Sequence, residues 1–125
     1  MTNAAKLMLS KGAKVIIASQ TPNNPWESGT FSCVPTRFVT YAKAVVEALG
    51  NPNVVFVDHG QYVANEYQSL GKTTVDAFFP NDHTHTSPAG ATVVEKAFMK
   101  GLMCGGSALS AYSKNSTASI EGSCV

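Results

Sequence analysis

Two short runs rich in β-branched residues constrain this fold more than any other feature: Lys14-Val15-Ile16-Ile17-Ala18 and Asn53-Val54-Val55-Phe56-Val57-Asp58. The first is apolar without alternation, which predicts a strand buried on both faces, as in a parallel sheet. Between the runs, helix spacing recurs at Phe38, Tyr41, Ala42, Val45, Val46 and Leu49, stopped by Gly50 and Pro52. Residues 2–11 predict a helix with Ala5, Met8 and Leu9 on one face and Gly12 as its cap. After the second run, residues 61–70 and 73–79 predict one or two short helices, the first closed by Gly71. Pro80 to Ser87 reads as a polar turn. Ser87 then caps a helix that starts at Pro88 and runs to about Met103, with Val94, Ala97, Phe98 and Leu102 inward. Lys96 and Lys100 lie toward its negative end. No internal repeat is found.

This alternation of helix and strand is that of an open parallel α/β sheet. Two strands make a poor one, because parallel strands need cover on both faces and neighbours at both edges. The sequence therefore reads as part of a domain. Residues 1–104 form the α/β portion. Residues 105–125 form a Ser/Gly/Thr-rich tail, expected as loop.

Composition narrows the function. Nine Lys+Arg against eight Asp+Glu provide no field for steering nucleic acid or an anionic membrane surface. No apolar run approaches the roughly 20 residues of a membrane span. The N-terminal Leu7-Met8-Leu9 is too short an apolar core for an export signal. Charged residues make up 14%, and Ser, Thr and Asn supply the polarity, which suits neutral, hydroxyl-rich ligands. The three cysteines leave two readings open. Cys104 and Cys124 could close the tail with Cys33 left over, or all three are free thiols of an intracellular protein.

The densest chemical constellation is Phe79-Pro80-Asn81-Asp82-His83-Thr84-His85-Thr86-Ser87-Pro88, just before the well-capped helix. An Asp and a His three residues apart can meet within one turn. The carboxylate then fixes the imidazole tautomer and leaves the second nitrogen as a general base. A solvated polar turn is the plain alternative. A metal site at Asp82, His83 and His85 is another, since all three are potential ligands. No Gly-x-Ser-x-Gly elbow, phosphate-binding loop or dinucleotide fingerprint is present. The bare residues thus supply a base and its orienter with nothing for them to activate.

The blocks Ala18-Ser19-Gln20-Thr21-Pro22-Asn23-Asn24-Pro25-Trp26, Pro35-Thr36-Arg37-Phe38-Val39, Val57-Asp58-His59-Gly60 and Phe79 through Gly90 closely resemble rhamnogalacturonan acetylesterases. The likeness runs along nearly the whole chain and includes the terminal cysteine pair. The resemblance implies the SGNH hydrolase fold, a three-layer α/β/α sandwich, here only in its C-terminal part. It implies a cofactor-free Ser-His-Asp esterase that removes acetyl groups from the pectic polysaccharide rhamnogalacturonan outside the cell. Asp82 and His85 match the family's D-x-x-H block. The Gly-Asp-Ser nucleophile block and the Gly and Asn oxyanion blocks, all N-terminal in the family, have no counterpart in these residues. A truncated chain needing the other half of the domain is therefore expected. The alternative is a noncatalytic fragment or pseudoenzyme that binds polysaccharide.

Further assignments rest on position. Asn24 and Trp26, in the loop after the first strand, and His83, within the D-x-x-H turn, are candidate substrate contacts. Trp26 could equally pack the loop down, and His83 could be solvated. Asp58 and His59, at the end of the second strand, read as structural hydrogen-bonding groups. Asn115-Ser116-Thr117 is a glycosylation sequon, meaningful only in an exported chain.

Overall fold

The computed structural model of the chain describes residues 1–114 and 120–125, so the Asn115 sequon lies outside the described residues. Helix α1 (Thr2–Ser10) leads into strand β1 (Val15–Ala18). Helix α2 (Arg37–Leu49) then crosses over to β2 (Val54–Val57). Helices α3 (His59–Leu70), α4 (Lys72–Asp76) and α5 (Pro88–Cys104) follow, then a 3₁₀ turn at Ala108–Tyr112 in the tail expected to be all loop. The two strands pair in parallel, Val15 with Val54 through Ala18 with Val57. The class is α/β, as the alternation predicts.

Helices cover both faces of the sheet. On one face Ala5 of α1 and Ala42 of α2 pack on Val15, Ile17 and Val54, with Leu9, Val45, Val46, Leu49 and Phe56 around them. The other face carries the larger core, in which Tyr62, Val63 and Tyr67 of α3 meet Val75, Phe78, Phe79 and Ala97. Helix α5 crosses β2 with no room to spare. A Cβ on Gly101 would lie 2.9 Å from the Tyr62 ring and 3.0 Å from a Val57 methyl.

Several sequence expectations change at the margins. Strand β1 is buried on one face only: Val15 and Ile17 are inside, Ile16 is half-buried and Ala18 exposed. Helix α5 lies over β2, and among the described residues β1 has a single strand neighbour. Met8 of α1 is 52% exposed, and Phe38 and Tyr41 of α2 meet edge to face outside the core. Lys100, near the negative end of α5, is only 7% exposed, and its ammonium donates to the Ile120 carbonyl at 2.9 Å. The tail folds back over it. Cys104 and Cys124 are joined, with Cα atoms 5.6 Å apart, while Cys33 is free. The Tyr62 hydroxyl accepts from the Val125 amide at 3.1 Å.

Two outcomes follow from this packing. Gly101→Ala gains about 1 kcal/mol of helix propensity but overpacks the Tyr62–Val57 contact at about 1–3 kcal/mol. Urea unfolding should therefore show net destabilisation; a stabilised variant would mean the α5–β2 contact is looser than described. Thiol titration of the denatured, unreduced chain should find one thiol, and reduction of the 20-residue link should lower stability by about 3 kcal/mol.

Candidate active site

The D-x-x-H turn is held at its base by the core. Phe78 and Phe79 are buried, and the Ser87 amide donates to the Phe78 carbonyl at 2.7 Å, pinning the two ends of the segment together. Ser87 then caps α5, its hydroxyl accepting from the Gly90 amide at 3.4 Å. Gly90 sits so close to the turn that a Cβ there would come 2.8 Å from Phe78 Cβ and 3.0 Å from Thr86 Cβ. Residues 80–85 are thereby pushed out into solvent as a tight loop.

Asp82 organises that loop. Its Oδ1 accepts from the Thr84 and His85 amides, each at 2.7 Å, and its Oδ2 faces His85 Nδ1 at 2.8 Å. The hydrogen bonds from His85 and Thr84, with the His85 amide foremost, hold the Asp82 carboxyl far below the ordinary carboxylate range. An ionised carboxylate can only accept, so Nδ1 is the donor, and in the neutral imidazole Nε2 presents the lone pair. No described residue bonds that Nε2, and the His85 side chain is 81% exposed. The Asp82 contact thus fixes the orientation of the imidazole and leaves Nε2 facing solvent.

The remaining candidates sit beside this pair in a different way. His83 points its Nδ1 at Glu27 Oε1, 3.0 Å away, so the two histidines of the turn face separate carboxylates. Among the described residues no group of three or more His, Cys, Asp or Glu could hold a metal ion. Asn24 donates its Nδ2 to Asp76 Oδ1 at 2.9 Å, accepts the Trp26 amide on its own Oδ1 at 3.0 Å, and sends its backbone N–H to the His83 carbonyl at 2.8 Å. Trp26 is half-buried. Its indole N–H donates to the Tyr67 carbonyl at 2.9 Å, and its ring meets Phe31 edge-on. Asp58 and His59 do structural work at the strand end. Asp58 accepts from Ser19 Oγ at 2.9 Å and pairs with Lys43 at 3.1 Å, while His59, buried against Phe98, bonds Thr21. Burial pulls the His59 imidazole below its ordinary value.

A curated rhamnogalacturonan acetylesterase of Emericella nidulans is 56% identical to this chain over 107 residues. The chain is a homologue of rhamnogalacturonan acetylesterase. The aligned part is 86% of this chain and 42% of that acetylesterase, so the chain spans about two fifths of the length of its curated relative. No family model matches the chain.

Glu27 and Asp76 escaped the sequence reading. Their contacts to His83 and Asn24 span 56 and 52 residues, and nothing in local spacing signals a pair so far apart along the chain.

The Asp82 hydrogen bonds lead to a pH expectation. The carboxyl is depressed in the folded chain, so its contribution to folding is fully present above about pH 4, the ordinary Asp midpoint, and is lost only as pH falls through the lower folded value. The Asp82 carboxyl carbon should keep its ionised NMR shift as pH passes through about 4; a midpoint there would mean the three bonds are not made in solution.

Proposed function

We propose that this chain is the C-terminal part of an SGNH-type acetylesterase acting on acetylated rhamnogalacturonan, contributing the general base His85 and its orienting Asp82. The supporting observation is the 2.8 Å contact between His85 Nδ1 and Asp82 Oδ2, with Nε2 facing solvent and unbonded by any described residue. The nucleophilic serine and the oxyanion-hole Gly and Asn come from chain outside these 125 residues.

The chemistry follows from those positions. As the serine hydroxyl attacks the acetyl carbonyl, His85 Nε2 takes its proton, and Asp82 stabilises the imidazolium across the Nδ1 bond. The same proton passes to the departing sugar oxygen, leaving an acetylated serine. Water, deprotonated by the same nitrogen, then releases acetate. No cofactor enters these steps.

Three further features fit this reading. Strand β1 lacks a second neighbour among the described residues, and Leu7 and Met8 of α1 are more than half exposed. An N-terminal half packed there would extend the sheet and bring the serine to the C-terminal strand ends, where ligands gather in open α/β sheets. A cleft of ≈ 210 Å³ at those strand ends mixes apolar walls (Pro25, Val34, Val39) and the Asp58 carboxylate with amides and hydroxyls of Gln20, Asn23 and Thr36 that can meet sugar hydroxyls. Asn24 keeps a second amide hydrogen for such a contact, His83 stands at the turn beside it, and Trp26 supports the loop. The Cys104–Cys124 link fits an oxidising, extracellular compartment.

Complementation tests the proposal. The chain alone should release no acetate from acetylated rhamnogalacturonan, because loss of the nucleophile costs on the order of a million-fold in a serine hydrolase. Co-folded with the N-terminal half of a rhamnogalacturonan acetylesterase it should release acetate, and His85→Ala should abolish that activity. Acetate release by the chain alone, dependent on His85, would place a nucleophile within these residues and overturn the assignment.

A further inference from the structure

Residues 80–85 are exposed, and an exposed loop of six residues does not hold its place above the sheet by itself. The Ser87–Phe78 bond pins its two ends to the core, and the bonds centred on Asp82 fix residues 82–85 relative to one another, but neither ties the tip of the turn to the strand ends. Something must fix the second relation. Only the 19–27 segment reaches the turn from β1 with described hydrogen bonds.

That segment is anchored at both ends. At its root, Ser19 is 4% exposed and its hydroxyl does two things: it donates to Asp58 Oδ1 at 2.9 Å and accepts the Gly60 amide at 2.7 Å. A Cβ on Gly60 would fall 2.5 Å from the Gln20 carbonyl, so the segment leaves β1 in contact with the start of α3. At its tip, the Asn24 side chain bridges Asp76, at the end of α4, and the Trp26 amide. The Asn24 bond is the foremost cause holding the Asp76 carboxyl below its ordinary range, ahead of the bond from Lys72. With its side chain fixed between those groups, Asn24 gives its backbone N–H to the His83 carbonyl at 2.8 Å, and three residues later Glu27 reaches His83 Nδ1 at 3.0 Å.

We infer that Asn24, locked by Asp76 and assisted by Glu27, is a positioning residue that sets where the Asp82–His85 pair stands above the sheet. It acts through His83, whose backbone lies between the two members of the pair. The Asn24–Asp76 bond connects the loop after β1 to the helix that precedes the turn, and so closes a ring of contacts from strand end to base. This deepens the assignment of Asp82 and His85 as orienter and base and rests on it. Its test reads the turn and not acetate release, so the two stand or fall separately.

A polarity swap in the full 125-residue chain provides that test. Asn24→Asp sets a carboxylate against Asp76. Amide exchange at Thr84 and His85, the two N–H groups bonded to Asp82, should then speed up on the order of tenfold relative to Val63 and Tyr67 in the core. The Asp82 titration should move toward the ordinary carboxylate range. Asn24→Asp combined with Asp76→Asn restores one donor and one acceptor with their roles exchanged, and should return both readings to the parent values. Glu27→Ala, at a surface site, should produce a smaller change of the same kind and serves where Asn24→Asp does not fold. Unchanged Thr84 and His85 exchange in folded Asn24→Asp or, failing that, in Glu27→Ala would overturn the inference. So would a double variant that regains global stability but not the turn.

Discussion

Parallel pairing of two four-residue strands sets the geometry on which every later contact depends. Because Val15 pairs with Val54 and Ala18 with Val57, both strands end on the same edge of the sheet. The next residues, Ser19 and Asp58, therefore emerge side by side and bond to each other. In an antiparallel pair the same residues would sit at opposite ends, separated by about 13 Å for four residues at 3.3 Å each. No hydroxyl–carboxylate bond spans that distance. The loop that meets the D-x-x-H turn starts from this junction, so strand polarity is the first link between the fold and the candidate chemistry.

The sequence carried the parts of this structure that depend on local pattern. Element order, the α2 stop at Gly50, the Ser87–Pro88 helix start and the Asp82–His85 contact all arise within a few residues, where spacing and capping chemistry decide. Less was legible wherever a distant segment decides. Lys100 has the spacing and charge of a surface residue near a helix end, yet the tail places the Ile120 carbonyl over its ammonium and buries it. Ile16 and Ala18 look like buried strand residues, and they would be so only with a neighbouring layer above β1. Asn24 looks like a loop amide free to meet a ligand; its tie to Asp76 depends on how α4 is set against the loop, which no local pattern encodes.

The tail adds a constraint of another kind. It is joined to α5 through Cys104–Cys124, to the Lys100 ammonium through Ile120, and to the Tyr62 hydroxyl of α3 through Val125. Helices α3 and α5 make the larger core, and the tail braces both. It also brings Glu121 near Glu66, whose carboxyl is pushed up chiefly by burial and then by that neighbour, with Lys100 opposing. The brace thus carries an electrostatic cost that the cross-link and the Lys100 contact must offset. None of the contacts named here engages residues 80–85, which places the tail's role in holding the core under the turn.

The Asp82–His85 pair is exposed, and on the proposed reading its geometry alone would not make a catalyst. The Asp82 and His85 side chains are 44% and 81% exposed, so water screens their attraction and competes for the imidazole nitrogen. Fixed dipoles act strongly on a developing charge only where water is excluded and the effective dielectric is low. A serine arriving on a flexible segment would meet a hydrated base. A serine arriving on a strand end, with a packed layer behind it, would also dry the base as it arrives. The open side of β1 and the exposed Leu7 and Met8 offer a place for such a layer. On the proposed reading, one packing event supplies the nucleophile, the oxyanion donors and the low dielectric together. A synthetic nucleophile delivered to His85 without that layer would recover little of the rate.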